Sequence, residues 1–161
     1  MKKNDIIITP AIAFEKMKSW CAYQERSQKD AKGKLYELGI KGEEADAIIA
    51  ELITENFINE ERFAKALANG KFRIKHWGKI KIRGALRQHQ VTDYCIKTAL
   101  NNIDEKEYEA VIIKVIEKKL RLTKVKDKRK LFYEVLKHAA SKGFESDLVI
   151  EQLNVLLVQE K

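Results

Sequence analysis

The sequence is poor in everything that punctuates a chain. Among 161 residues there is one proline, the seven glycines stand singly, and there are two cysteines. Strands and long loops need more turn residues than this, so a helical protein is expected. Cys21 and Cys95 form no C-x-x-C pair, which leaves them as reduced, apolar fillers in a reducing compartment. The scattered glycines exclude a glycine-rich phosphate loop. Histidine is equally sparse: His76, His89 and His138 lie far apart, with no Cys or Asp at ligand spacing. No metal and no cofactor is therefore expected, and His89 reads as the end of a helix. Long apolar runs are missing too. Ile6-Ile7-Ile8, behind Lys2 and Lys3, is far too short for a membrane span or a signal core, so a cytoplasmic protein with no membrane partner is expected. The acidic pairs Glu43-Glu44 and Glu60-Glu61 fall where helices should start, and there they complement the helix dipole. With no convergent nucleophile, base or metal cluster, the chain does not read as an enzyme.

What remains is abundant helix-forming material, 45% hydrophobic and 35% charged. Apolar residues recur at helical spacing from Phe14 onward. Phe14, Met17, Trp20 and Cys21 mark a first helix. Ser27 is a candidate N-cap for a second, with Ala31, Leu35 and Leu38, stopped by Gly39. Ala45, Ile48, Ile49, Leu52 and Ile53 mark a third. The pattern then recurs. Asn59 caps a helix with Phe63, Ala66, Leu67 and Ile74 inward; the next buries Ile82, Ala85, Leu86 and His89; Thr92 or Asp93 opens a third with Cys95 or Ile96, Ala99 and Leu100. A last round runs from Asp104 through Tyr108, Ile112, Val115, Ile116 and Leu120. It breaks over residues 123–128, resumes with Leu131, Val135, Leu136 and Ala139 up to Gly143, and ends with Leu148, Ile150, Leu153 and Leu157.

Three segments align: Leu35–Ile40, Leu86–Val91 and Ala139–Phe144. A period of about 50 residues signals tandem units. The expected fold is all-α, with three tandem three-helix repeats in an elongated array that can curve: a tail over 1–12, then repeats over 13–58, 59–103 and 104–161. Units this small bury little alone and must lean on neighbours, which gives a long continuous face suited to a long ligand.

The formal charge is +8, and it is segregated. From Arg62 to Val91 nine bases stand without an acid: Arg62, Lys65, Lys71, Arg73, Lys75, Lys79, Lys81, Arg83 and Arg87. Ala13 to Ile58 instead holds seven bases and nine acids, a net of −2. Lys79, Arg83 and Arg87 stand four apart and stack along one helix side, where like charges repel by about a few tenths of a kcal/mol per pair. An anionic partner would repay that repulsion, since each phosphate neutralised adds a salt-dependent increment of affinity. Trp77, inside the basic turn, is a candidate either for stacking on a base or for plugging the gap between helices. A second basic patch, Lys118, Lys119, Arg121, Lys124, Lys126, Lys128 and Arg129, surrounds the break, where side chains can reach outward.

Arg62-Phe63-Ala64 after Glu60-Glu61 resembles the D-E-R-F-A signature of RecX regulatory proteins. Trp77-Gly78-Lys79-Ile80-Lys81-Ile82 with Leu86-Arg87 is similar to that family's central segment, and Cys21–Ser27 to its opening helix and turn. Two departures stand out: Asn59-Glu60 replaces the more usual acidic pair, and Gln88-His89-Gln90 replaces the commoner Lys-Gly ending. The resemblance implies a protein of tandem three-helix repeats in an elongated arrangement, and a monomer without a reaction of its own is expected. Its expected partners are the RecA recombinase filament and the single- or double-stranded DNA that the filament carries, with filament growth, ATPase and strand exchange limited as a result. The Arg62–Arg87 strip, with Trp77, is the expected contact. A stand-alone DNA-binding module with helix-turn-helix-like repeats is the alternative.

Overall fold

The computed structural model describes residues 6–159, and over these the chain is helix and connecting turn without a strand. The helices are α1 (Pro10–Tyr23), α2 (Gln28–Glu37), α3 (Glu43–Thr54), α4 (Glu60–Arg73), α5 (Lys79–Gln88), α6 (Asp93–Asn101), α7 (Glu105–Leu122), α8 (Lys128–Ser141) and α9 (Ser146–Gln159). None is long and apolar enough to cross a membrane. The first five residues of the expected tail lie outside the described residues, and Pro10 already occupies the first turn of α1, behind the N-cap Thr9.

Side-chain caps explain where most helices begin. Ser27 and Asp30 form a reciprocal capping box at α2, and Asn59, Thr92, Asp104 and Asp127 each accept a backbone N–H at the start of α4, α6, α7 and α8. One device, a Schellman turn, ends the second helix of every repeat. Ile40 N–H donates to Leu35 O, Val91 N–H to Leu86 O and Phe144 N–H to Ala139 O, over 2.9, 3.2 and 3.2 Å. The residue before each is left-handed: Gly39 at φ +84°, Gln90 at +58° and Gly143 at +93°. All three turns drop an apolar residue (Ile40, Val91, Phe144) into the core. The 50-residue alignment in the sequence is this turn, repeated.

The accessible surface is 11124 Å². A compact 18.7 kDa monomer would expose about 8,300 Å², so the array is elongated. Two apolar cores run through it. One lies within α1–α3, around Met17, Leu35, Ile48, Leu52 and Ile58. The other is continuous through α4–α9, from Phe63 and Phe72 through Ile82, Leu86 and Tyr108 to Phe144 and Leu153. Between α1–α3 and α4–α6 the seam is polar. The Ser27 hydroxyl and the Asp30 carboxylate each lie 3.3 Å from His89 Nδ1, and Lys29 Nζ donates to Gln88 O at 2.7 Å. Between α4–α6 and α7–α9 the seam is mainly backbone and apolar, with the Tyr108 hydroxyl and an exposed Arg73–Glu107 pair beside it. Gly78 N–H donates to Lys142 O at 2.8 Å and Ile80 N–H to Gly143 O at 3.0 Å. Gly78 sits so close that a Cβ there would lie 2.3 Å from the Gly143 carbonyl carbon.

Three apolar residues expected inside are exposed: Ile53, Ala66 and Ile74, the last at 77%. In α4 the buried face is instead Phe63, Ala64, Ala68 and Phe72. Both stripes have helical period. The two small alanines win because they let α6 pack directly against α4.

Candidate polyanion interface

α5 carries Ile82 and Leu86 into the core, and that fixes which way its cations point. Lys79, Arg83 and Arg87 line one shallow groove against α6, whose wall supplies Ile96, Leu100 and Asn101. The groove encloses about 520 Å³. α6 adds a fourth cation, Lys97, and the only lining acid among the described residues, Asp93. None of the four cations pairs with a carboxylate among the described residues. Lys97 escaped the sequence reading because it lies beyond the acid-free run, four residues after Asp93.

The base of this groove is held from the third repeat. Tyr108 accepts the Lys79 backbone N–H at 3.0 Å and donates its own hydroxyl proton to Glu145. Burial and that bond to Glu145 push the Tyr108 phenol well above its usual range. The Lys79 ammonium rests 4.9 Å from the centre of the same ring. Trp77 is half-buried against the core, so it fills the interhelical gap, while its ring also carries Lys71 and Lys81 at 4.8 and 4.4 Å.

Three of the nine strip cations are engaged internally. Arg62 pairs with Glu25 of α1's trailing turn and donates to Asn56 Oδ1 and to the Asn56 carbonyl at 3.2 and 3.0 Å. It is a clamp between the first and second repeats. Lys65 meets Glu61 at 3.1 Å, and Arg73 meets Glu107 at 3.6 Å with both side chains more than half exposed. The Arg73 pair is screened by water and holds its cation weakly. Lys71, Lys75, Lys79, Lys81, Arg83 and Arg87 have no such partner among the described residues.

The second basic patch divides. Lys118, Lys119 and Arg121 line a larger groove, about 1110 Å³, between the ends of α4, α7 and α8, where they join Lys75, Lys114 and Lys142. Lys124, Lys126, Lys128 and Arg129 stand exposed on or beside the 123–127 loop, outside it. Crowded cations leave a mark on their neighbours. Burial, then Lys118 and Lys81, lower the pKa of Lys142; burial, then Lys119, Lys142 and Lys118, lower that of His138.

Residues 59–100, which hold the smaller groove, match the family description "RecX, second three-helix domain". The Regulatory protein RecX of Clostridium perfringens (strain 13 / Type A) is 30% identical over 124 residues, which is 76% of this chain and 58% of that protein. The Regulatory protein RecX of Prosthecochloris aestuarii is 26% identical over 147 residues, covering 90% of this chain and 93% of that one. The chain is similar to RecX proteins along nearly its whole length. Its fold agrees: the crystal structure of RecX from Lactobacillus salivarius superposes with a TM-score of 0.84 at 20% identity, over 92% of this chain and 97% of that one. A further RecX crystal structure gives 0.80 at 24% identity, over 88% and 71%. The chain thus spans a little over half the length of the Clostridium perfringens RecX proteins it matches.

Proposed function

We propose that this chain is a regulator without a reaction of its own, which binds the RecA–DNA filament and limits recombinase ATPase and strand exchange. One observation carries the reading: among the described residues Lys79, Arg83, Arg87 and Lys97 share a groove with a single acid, and none of them pairs with a carboxylate. Such a groove holds repelling charges together at a cost that an external polyanion removes. Lys71, Lys75, Lys81 and Trp77 extend the contact around the turn between α4 and α5. Arg62 clamps the first repeat to the second, and Lys65 and Arg73 border the strip. A long helical array laid along a filament spans several protomers, and it shifts their equilibrium by its differential affinity for one arrangement.

The test is charge reversal of Lys79, Arg83 and Arg87 to Glu. Inhibition of RecA-driven strand exchange is expected to be lost while far-UV circular dichroism stays unchanged. Full inhibition by the triple variant would remove the groove from the contact. Binding to naked DNA with affinity indifferent to recombinase would instead favour a stand-alone DNA-binding module.

A further inference from the structure

The larger groove shares only Lys75 with the strip. Its walls are the C-terminal ends of α4, α7 and α8 with Leu156 from the last turn of α9, and among the described residues six cations line it: Lys75, Lys114, Lys118, Lys119, Arg121 and Lys142. Helix C-termini attract cations, so part of this charge has a structural explanation. The magnitudes limit it. Four termini at about −0.5 each, α9 included, offset roughly two charges. Glu117, the one lining acid among the described residues, offsets one more. About three positive charges remain uncompensated among the described residues.

The chemistry of the lining narrows the ligand. Between the cations lie Ile74, Val115, Leu120, Leu122 and Leu156. Ile74 is 77% and Leu122 71% exposed, on the rim. Among the described residues no Phe, Tyr or Trp lines the groove, so a nucleobase finds only the small imidazoles of His76 and His138 to stack on. Compact phosphates are held by helix N-termini and backbone N–H nests, and here the helices present their carbonyl ends instead. An aliphatic floor ringed by long cationic side chains matches a ligand with carboxylates on one side and apolar side chains on the other. The volume, about 1110 Å³, exceeds that of most small-molecule sites and suits a stretch of polypeptide.

We propose that the groove between the ends of α4, α7 and α8 is a docking site for an acidic, amphipathic segment of a partner protein. It is separate from the α5–α6 groove. Leucine-type anchors seat on Ile74, Leu120, Leu122 and Leu156, and flanking Asp or Glu meet Lys118, Lys119 and Lys142. His138, which faces Lys118, Lys119 and Lys142, reports occupancy: carboxylates in the groove offset those cations and raise its pKa.

The test uses two labelled helical peptides of about 15 residues. One is Glu-rich with leucines at i, i+4 and i+7; the other has the same charge with alanine in their place. The leucine peptide is expected to bind the full chain at least about tenfold tighter than the alanine peptide, a step of about 1.4 kcal/mol. Ile74→Ser with Leu122→Ser should erase that preference, and Lys118→Ser with Lys119→Ser should weaken both peptides. The triple reversal at Lys79, Arg83 and Arg87 should bind as the parent does. His138 should titrate at higher pH by NMR when the leucine peptide is bound. Equal binding of the two peptides, or a preference that survives loss of Ile74 and Leu122, would overturn the proposal. So would loss of peptide binding in the α5–α6 variant, or displacement by a short oligothymidylate whose own binding needs Lys118 and Lys119. Failure of the RecA reading leaves every one of these outcomes readable.

Discussion

The seam between α1–α3 and α4–α6 and the seam between α4–α6 and α7–α9 join the same kind of three-helix unit by opposite means. At the first, Arg62 reaches Glu25, and His89 sits between Ser27 and Asp30. Contacts of this type are half-solvated, screened by salt, and worth roughly 0–1 kcal/mol each. At the second, two backbone hydrogen bonds and a glycine-to-glycine approach close over a shared apolar core. Salt does not weaken that. The comparison teaches that α4–α9 share one apolar core that carries both cationic grooves, with α1–α3 attached by contacts that ionic strength loosens.

Two tryptophans allow each side to be watched separately, because Trp20 packs on the first core and Trp77 on the second. The largest effect is expected from Gly78→Ala. Its methyl group would force the Gly143 backbone away and break both interchain-like backbone bonds of that seam, costing about 3 kcal/mol or more. In urea, the Trp77 transition of a Trp20→Phe background should move to much lower denaturant; the Trp20 transition of a Trp77→Phe background should hardly move.

Next comes Tyr108→Phe, expected to lose about 1–2 kcal/mol by leaving the Lys79 N–H and Glu145 without their shared hydroxyl. It also carries a pH signature. The folded-state pKa of Tyr108 is raised, so its contribution is complete below the unfolded value of about 10 and is lost as pH rises further. Above about pH 10 the parent should therefore lose stability more steeply than the Phe variant, which alkaline urea melts would reveal.

Arg62→Ala should act on the other seam, at about 1 kcal/mol in low salt, with the Trp20 and Trp77 transitions drawing apart. Raising salt to about 0.5 M should shrink the difference from the parent, since it screens the parent's ion pair. A loss as large as that of Gly78→Ala, and insensitive to salt, would mean the two seams are not different in kind. The smallest effect is a gain. Gln90 holds the left-handed turn position that Gly39 and Gly143 hold in the other repeats, so Gln90→Gly should stabilise the second repeat by about 0.5–1 kcal/mol in thermal melts.

Much of this architecture was legible in the residues, for local reasons. Ser27, Asn59 and Asp104 cap through bonds three residues long, and the Leu35, Leu86 and Ala139 turns repeat because each needs the same short pattern. The i, i+4 spacing of Lys79, Arg83 and Arg87 placed them on one groove wall without any tertiary knowledge. What escaped was non-local. Ile74 and Phe72 both fit a helical stripe, and only the approach of α6 to Ala64 and Ala68 decides between them. Arg62 reads as a free cation in a run without acids, because its partner Glu25 lies 37 residues earlier. Lys142 reads as part of a turn, yet it completes a groove begun by Lys75 and Lys118 on other helices.

The central claim is that the α5–α6 cations are met by an external polyanion. It is tested most directly by the salt dependence of binding to RecA filaments on single-stranded DNA, comparing the parent with the Lys79→Ala, Arg83→Ala, Arg87→Ala variant. The account predicts weaker binding and a slope of log K against log salt shallower by about two to three, close to one per lost phosphate contact. Coincident lines for the two proteins would contradict it.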